Sequence, residues 1–225
     1  QNLHDDLVGV MPDSGVPAIG TGTPAVYADM TSISEHDLVR AETVAMPIAL
    51  LVLLLAFGTL VAAALPLVQA GMAVVLAMAI MLPIALATDV SLFALNSTTL
   101  LGLGVSIDYS LFIVSRFREE IERRPVDEAV ATTVGTAGQA VAFSGMAVVI
   151  GLFALLLLPF SSLRSIGLGG FTVVTIAVVL NVTFLPAVLG MLGPRINAVR
   201  IIPRMRMSGA FWAGLSRLVM RRAVP

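Results

Sequence analysis

The sequence has 225 residues, of which 58% are hydrophobic and only 12% charged, with a mean hydropathy of +0.99. A soluble domain carries roughly 25% charged residues, so this composition points to a chain that crosses a membrane several times. The net charge of −1 speaks against a nucleic-acid partner, and the absence of cysteine excludes disulfides, thiol catalysis and cysteine metal sites.

Residues 1–42 are polar and mixed. They hold half of the acidic residues: Asp5, Asp6, Asp13, Asp29, Glu35, Asp37 and Glu42. Pro12, Gly15, Pro17, Gly20, Gly22 and Pro24 break this part into turns around a short strand expected at Val16 to Thr21. Ser32 and Glu35 have capping-box spacing, so a helix is expected to start near Ser32 and to run into the membrane. His4 and His36 lie far apart here and read as surface residues rather than metal ligands.

From Thr43 to Thr88 no charged residue occurs. One crossing needs about 20 residues, so this run is read as two spans, 43–65 and 68–88. The hinge is expected at Leu65 to Gly71, where Pro66, Gln69 and Gly71 interrupt the apolar text. Asp89 and Asn96 bracket the next interface. Further spans are expected at about 93–115, 137–158 and 166–192, giving five transmembrane helices within 43–193. Residues 194–225 form a basic linker. Within it, Phe211 to Arg222 mixes apolar residues with arginine and reads as an amphipathic helix on the bilayer surface, with a disordered basic tail as the alternative. The fold class is therefore an all-α polytopic membrane protein, a five-helix bundle with a short α+β extracytoplasmic N-terminal remnant.

All thirteen basic residues are arginine. Five crossings put Arg116, Arg118, Arg123, Arg124, Arg195, Arg200, Arg204, Arg206, Arg217, Arg221 and Arg222 on one side, against Arg40 and Arg164 on the other. The arginine-rich side is cytoplasmic by the positive-inside rule. Residues 116–128 and 194–225 are then cytoplasmic and 1–42 extracytoplasmic. The chain opens on Gln1 without a signal-peptide pattern and stops after Pro225, and we expect it to be a fragment of a longer protein.

Asp108 stands inside the third span, eight residues or about 12 Å of helix before Arg116. A charged aspartate at a helix centre costs about 2.5–3.5 kcal/mol on insertion scales. At 100° per residue Ser97, Gly104, Asp108 and Ser115 share one face, with Thr98, Thr99, Gly102, Ser106 and Tyr109 beside it. Leu100, Leu103, Ile107, Leu111 and Val114 fill the remaining, aliphatic arc. The polar face is expected to point into the bundle, where burial favours the neutral carboxyl and the glycines permit close helix approach. Intramembrane acids of this kind mark proton relays; the competing reading is a protonated aspartate that only packs. Ser144 and Gln139 in the fourth span either face the same interior or bond locally. No phosphate loop, Ser/His/Asp set or metal cluster supports an enzyme.

Gly104-Val105-Ser106-Ile107-Asp108 resembles the Gly-x-x-x-Asp motif in the fourth transmembrane helix of the resistance–nodulation–division (RND) superfamily. The longer text from Gly102 to Glu120 resembles its MMPL branch, and the likeness runs from about Asp37 to Arg222. The resemblance implies spans two to six of a protein with about twelve spans in two similar halves. Residues 1–42 would be the end of a large extracytoplasmic porter domain. It also implies that Asp108 and Tyr109 form a proton relay with a matching pair in the second half, and that Gly102, Gly104, Phe112 and Ser144 pack the relay channel. The implied function is proton-motive-force-driven export of lipids or other hydrophobic molecules across the bacterial cytoplasmic membrane. The coupling ion would be the proton, with no other cofactor. The implied partners are membrane lipids, the hydrophobic substrate and the second half of the same polypeptide, with homo-oligomerisation left open. The five-span unit also resembles a sterol-sensing domain, so the alternative is a non-transporting lipid-sensing module.

Overall fold

The charge-free run divides earlier than its prolines suggest. The computed structural model describes residue 40, residues 43–88 and residues 90–201. Helix α1, Thr43–Phe57, is apolar but shorter than the others. It ends at Gly58, whose φ of +71° is a left-handed conformation that glycine adopts without strain. The Gly58 N–H closes the last turn by donating to the Leu54 carbonyl at 2.7 Å. Thr59 is extended, and helix α2 then runs unbroken from Leu60 to Ala87 with Pro66 and Pro83 inside it. The expected hinge at Leu65 to Gly71 is therefore corrected to Gly58 and Thr59. Each proline removes one helix donor. In an apolar surrounding, opening the helix would strand several backbone groups instead of one, so the helix continues through.

Helix α3 spans Leu92–Glu120. Pro125 precedes helix α4, Val126–Thr133, whose first turn carries Asp127 and Glu128 against the helix dipole. A π-helical turn at Val134–Gly138 joins it to helix α5, Gln139–Leu156. The fourth apolar element thus starts at Val126 and not near residue 137. Helix α6, Ser161–Val182, is followed after Thr183 by helix α7, Phe184–Leu192. Pro186 cannot donate to the Val182 carbonyl, and the break falls at that point. Gly193–Asn197 closes the described chain as a 3₁₀ turn.

Among the described residues four apolar helices are long enough to cross a membrane: α2, α3, the α4–α5 run and the α6–α7 run. Among the described residues there is no strand, only an antiparallel bridge between Thr59 and Arg200. The strand expected at Val16 to Thr21, the capping box at Ser32 and the amphipathic helix at Phe211 to Arg222 lie outside the described residues. The described residues from 48 on form one compact unit. The described part of the other unit, residues 1–47, is mainly the first turn of α1.

Helix α3 packs against α2 and α6, and α5 lies on α6. Lipid tails are as apolar as leucine, so close packing holds such a bundle. Small and short side chains serve that here. α2 buries Ala62, Ala63, Ala70, Ala73 and Ala77, and α6 buries Gly167, Gly169, Gly170 and Ala177. Large side chains such as Leu51, Val75, Leu86, Phe143 and Met191 face outward, as a lipid-facing surface requires.

The arginine-rich end is tied together. Thr59 Oγ1 donates to the Ile196 carbonyl at 3.3 Å, and Leu60 N–H donates to the Val199 carbonyl at 3.1 Å. Arg118 on α3 donates from Nε to Asn197 Oδ1 at 2.9 Å and from Nη1 to the Phe57 carbonyl at 2.8 Å. Its guanidinium also sits 5.4 Å from the Phe57 ring centroid. One side chain thus joins α1, α3 and the 3₁₀ turn. Arg118→Ala should cost about 2 kcal/mol or more, since bonds from charged donors are the stronger ones. The melting temperature of the purified full-length protein reads this loss. Lysine has no planar fork and should restore only part of it.

Candidate functional site

Helix α3 positions the candidate residues. Its buried stripe is Ala94, Thr98, Gly102, Ser106, Ser110, Ile113 and Phe117, spaced three or four residues apart. Gly102 lies in the tightest part. A Cβ there would stand 2.6 Å from Val173 Cγ2 on α6 and 2.8 Å from Val74 Cγ2 on α2. Glycine at this position is what lets three helices meet.

The opposite stripe is Leu100, Gly104, Asp108, Phe112, Ser115 and Glu119, and all six are exposed in this chain. Among the described residues, then, Asp108 faces outward from the helices of this chain. Its face is open, and the neighbouring face with Thr98, Thr99, Gly102 and Ser106 is the buried one. Val114, assigned to the lipid arc, is fully buried in the core. The wheel had the faces in the right order. It could not say which of two adjoining small-residue faces meets α2 and α6, because both are polar enough to be an interior. A Cβ on Gly104 would touch nothing within 4 Å, so its smallness serves no contact inside this chain.

Tyr109 leaves the stripe and turns toward α5. Its ring reaches 3.4 Å from the position a Cβ on Gly145 would take, beside Val178 of α6. Asp108 and Tyr109 thus present adjacent groups on two sides of α3, the carboxylate outward and the phenol toward α5 and α6. Ser144 is exposed on α5, where its hydroxyl donates to the Val141 carbonyl at 3.2 Å. Gln139 is exposed at the junction with the π turn.

Phe112, one turn below Asp108, enters a cleft of about 380 Å³ that it shares with Ser115, Arg116, Glu119, Thr136 and Ala137. This cleft lies between α3 and the π turn and extends along α3 to the arginine-rich end. Glu120 closes that end from inside. It is buried, and its two oxygens take Arg116 Nη2 at 2.7 Å and Arg124 Nε at 3.0 Å. Arg116 also reaches Glu119 at 3.3 Å. On the exposed side of α3, Ser115 and Glu119 follow Asp108 and Phe112 toward the charged end. Of the candidates, Asp108, Gly104 and Phe112 share one stripe. Gly102 is on the opposite face, and Ser144 is on another helix.

Sequence reasoning missed the burial of Gln69 on α2 and Asn181 on α6; Ser106 on α3, placed there beside the Asp108 face, is buried at a similar depth. Gln69 had been read as part of a turn. A single glutamine in a long charge-free run was the available signal, since such a group inside a span must find partners.

The MMPL family model matches residues 4–225 of the chain. The trehalose monomycolate exporter MmpL3 of Mycolicibacterium smegmatis is 41% identical over 187 residues, covering 83% of this chain and 18% of that protein. The mycolic acid-containing lipids exporter MmpL11 of the same organism is 35% identical over 98% of this chain and 24% of its own length. The heme uptake protein MmpL11 of Mycobacterium tuberculosis H37Rv is 38% identical over 82% of this chain and 20% of its own length. The chain thus spans about a fifth to a quarter of these relatives.

Proposed function

Because the chain belongs to the MMPL family, we propose that it is part of a proton-driven transporter in the bacterial cytoplasmic membrane, exporting lipids or other hydrophobic molecules. The observation that carries this reading is the open stripe of Gly104, Asp108 and Phe112 at mid-depth of α3. A carboxylate facing hydrocarbon is costly, so the stripe requires a polar partner, which a second bundle of the same polypeptide supplies. Gly104 leaves room for that bundle to approach.

Asp108 takes a proton from the extracytoplasmic side and loses its charge. The stripe then packs against its partner as a neutral surface. Release follows through the cleft at Phe112 and Ser115 toward Arg116 and Glu119. Tyr109 orients the relay from the α5 side. Phe112 and, on α5, Ser144 wall the route. One charge crossing 100 mV supplies about 2.3 kcal/mol, enough to bias a bistable bundle by more than tenfold.

Orientation follows from arginine. Among the described residues from 48 on, Arg116, Arg118, Arg123, Arg124, Arg195 and Arg200 share one end and Arg164 the other. The first end is cytoplasmic by the positive-inside rule. Residues 1–42 are then extracytoplasmic. Two of the relatives are exporters by name, which favours export, and lipid-like cargo fits an envelope protein of this composition.

Proteoliposomes of the full-length protein, loaded with a pH dye, test the reading. Adding substrate should produce a lumenal pH change that a protonophore abolishes. Substrate binding with no proton movement would instead identify a lipid sensor.

A further inference from the structure

The interior between α2, α3 and α6 contains polar atoms that no side chain or backbone group among the described residues satisfies. Gln69 is 1% exposed, and neither its Oε1 nor its Nε2 has a partner. Ser106 is fully buried with its hydroxyl unpartnered. Asn181 is fully buried; its Nδ2 donates to the Ala177 carbonyl at 2.8 Å, which leaves Oδ1 unpartnered.

These side chains share a level in the bundle. Each lies on the buried stripe of its helix, and the three helices pack pairwise against one another. The contact of Gly102 with Val74 and Val173 fixes a common level. Counting toward the arginine-rich end from that level, Ser106, Gln69 and Asn181 are about 6, 7.5 and 12 Å down at the usual helical rise. They occupy one layer, little more than a turn thick, at the depth of Asp108 but on the opposite side of α3.

We propose that this layer is a binding site for ordered internal water. The chemistry selects water over an ion. Gln69 Nε2 and the Ser106 hydroxyl offer protons, whereas Gln69 Oε1 and Asn181 Oδ1 accept them. A cation would satisfy only the acceptors and would repel the amide donor. A water molecule donates and accepts together, and buried waters take two to four such partners. An unpaired amide in an apolar interior is heavily penalised, and hydration removes the penalty. The site has a mechanical consequence. Water re-aims its hydrogen bonds, so α3 shifts between α2 and α6 without stranding a polar group. The site is independent of whether Asp108 carries protons.

A structure of the full-length protein at a resolution that shows ordered water, prepared once with sodium and once with N-methylglucamine as the only cation, tests the site directly. The expected result is the same density peak in both, within hydrogen-bond distance of Gln69 and Asn181. The thermal arm uses Gln69→Met, Asn181→Leu and their double variant. The double should lower the melting temperature by clearly less than the sum of the singles, because either change already disrupts the shared water. A peak lost without sodium, a direct Gln69–Asn181 bond with no peak, or additive thermal shifts would each overturn the proposal.

Discussion

Asp108→Asn in the full-length protein loses transport by about a hundred-fold or more, the scale on which positioned proton-transfer groups act, while the protein still inserts and folds. The substitution keeps shape and hydrogen-bonding capacity. The amide presents a carbonyl and a donor much as a protonated carboxyl does. The described bundle does not oppose it, because Asp108 is exposed on the open stripe. What is lost is the ability to alternate between charged and neutral forms. Export of labelled substrate, compared at equal membrane abundance, checks this. Export at the wild-type rate from normally inserted Asp108→Asn would remove the relay from the account.

Gly169→Ala has the largest expected effect on the fold. A Cβ there would collide with the Ala94 carbonyl and stand 2.5 Å from Thr98 Oγ1 and 2.9 Å from Ser97 Oγ. Ala94 is backbone, so no rotamer change relieves the contact. The α3–α6 interface must open near the end opposite the arginine cluster, where Ser91 N–H also donates to Ser165 Oγ at 3.0 Å. Overpacking of this kind costs roughly 3 kcal/mol. The melting temperature of purified full-length Gly169→Ala should fall accordingly, with reduced yield. Gly104→Ala is the control. A Cβ there meets nothing within 4 Å among the described residues, so its melting temperature should fall clearly less than that of Gly169→Ala. An unshifted melting temperature for Gly169→Ala would mean that α3 and α6 are farther apart than described.

Much of this architecture was legible from charge and hydropathy. The apolar elements follow the charge-free runs, and Asp108 announces itself by standing in one. The helix breaks were less legible. Pro66 looks like a stop signal, yet Gly58 makes the turn, because a left-handed cap breaks cleanly where a proline in lipid does not. The start of the fourth element at Val126 was hidden by its charged first turn, which helix geometry tolerates and a hydropathy window does not. The orientation of α3 was the least legible feature. Periodicity separates faces but does not rank them, and here both the Gly102 and Gly104 faces carry small and polar residues. Contacts across helices decided between them. Gln69 gave a signal as a lone polar residue in a charge-free run, but the burial of Gln69 and Asn181 depends on helix packing that periodicity does not show.

Infrared difference spectroscopy of the reconstituted full-length protein, with Asp108→Asn as reference, tests the central claim most directly. A protonated-carboxyl band that belongs to Asp108 should appear and vanish as the lumenal pH is stepped across the range in which transport runs. A band that is always present, or never present, across that range would contradict the account.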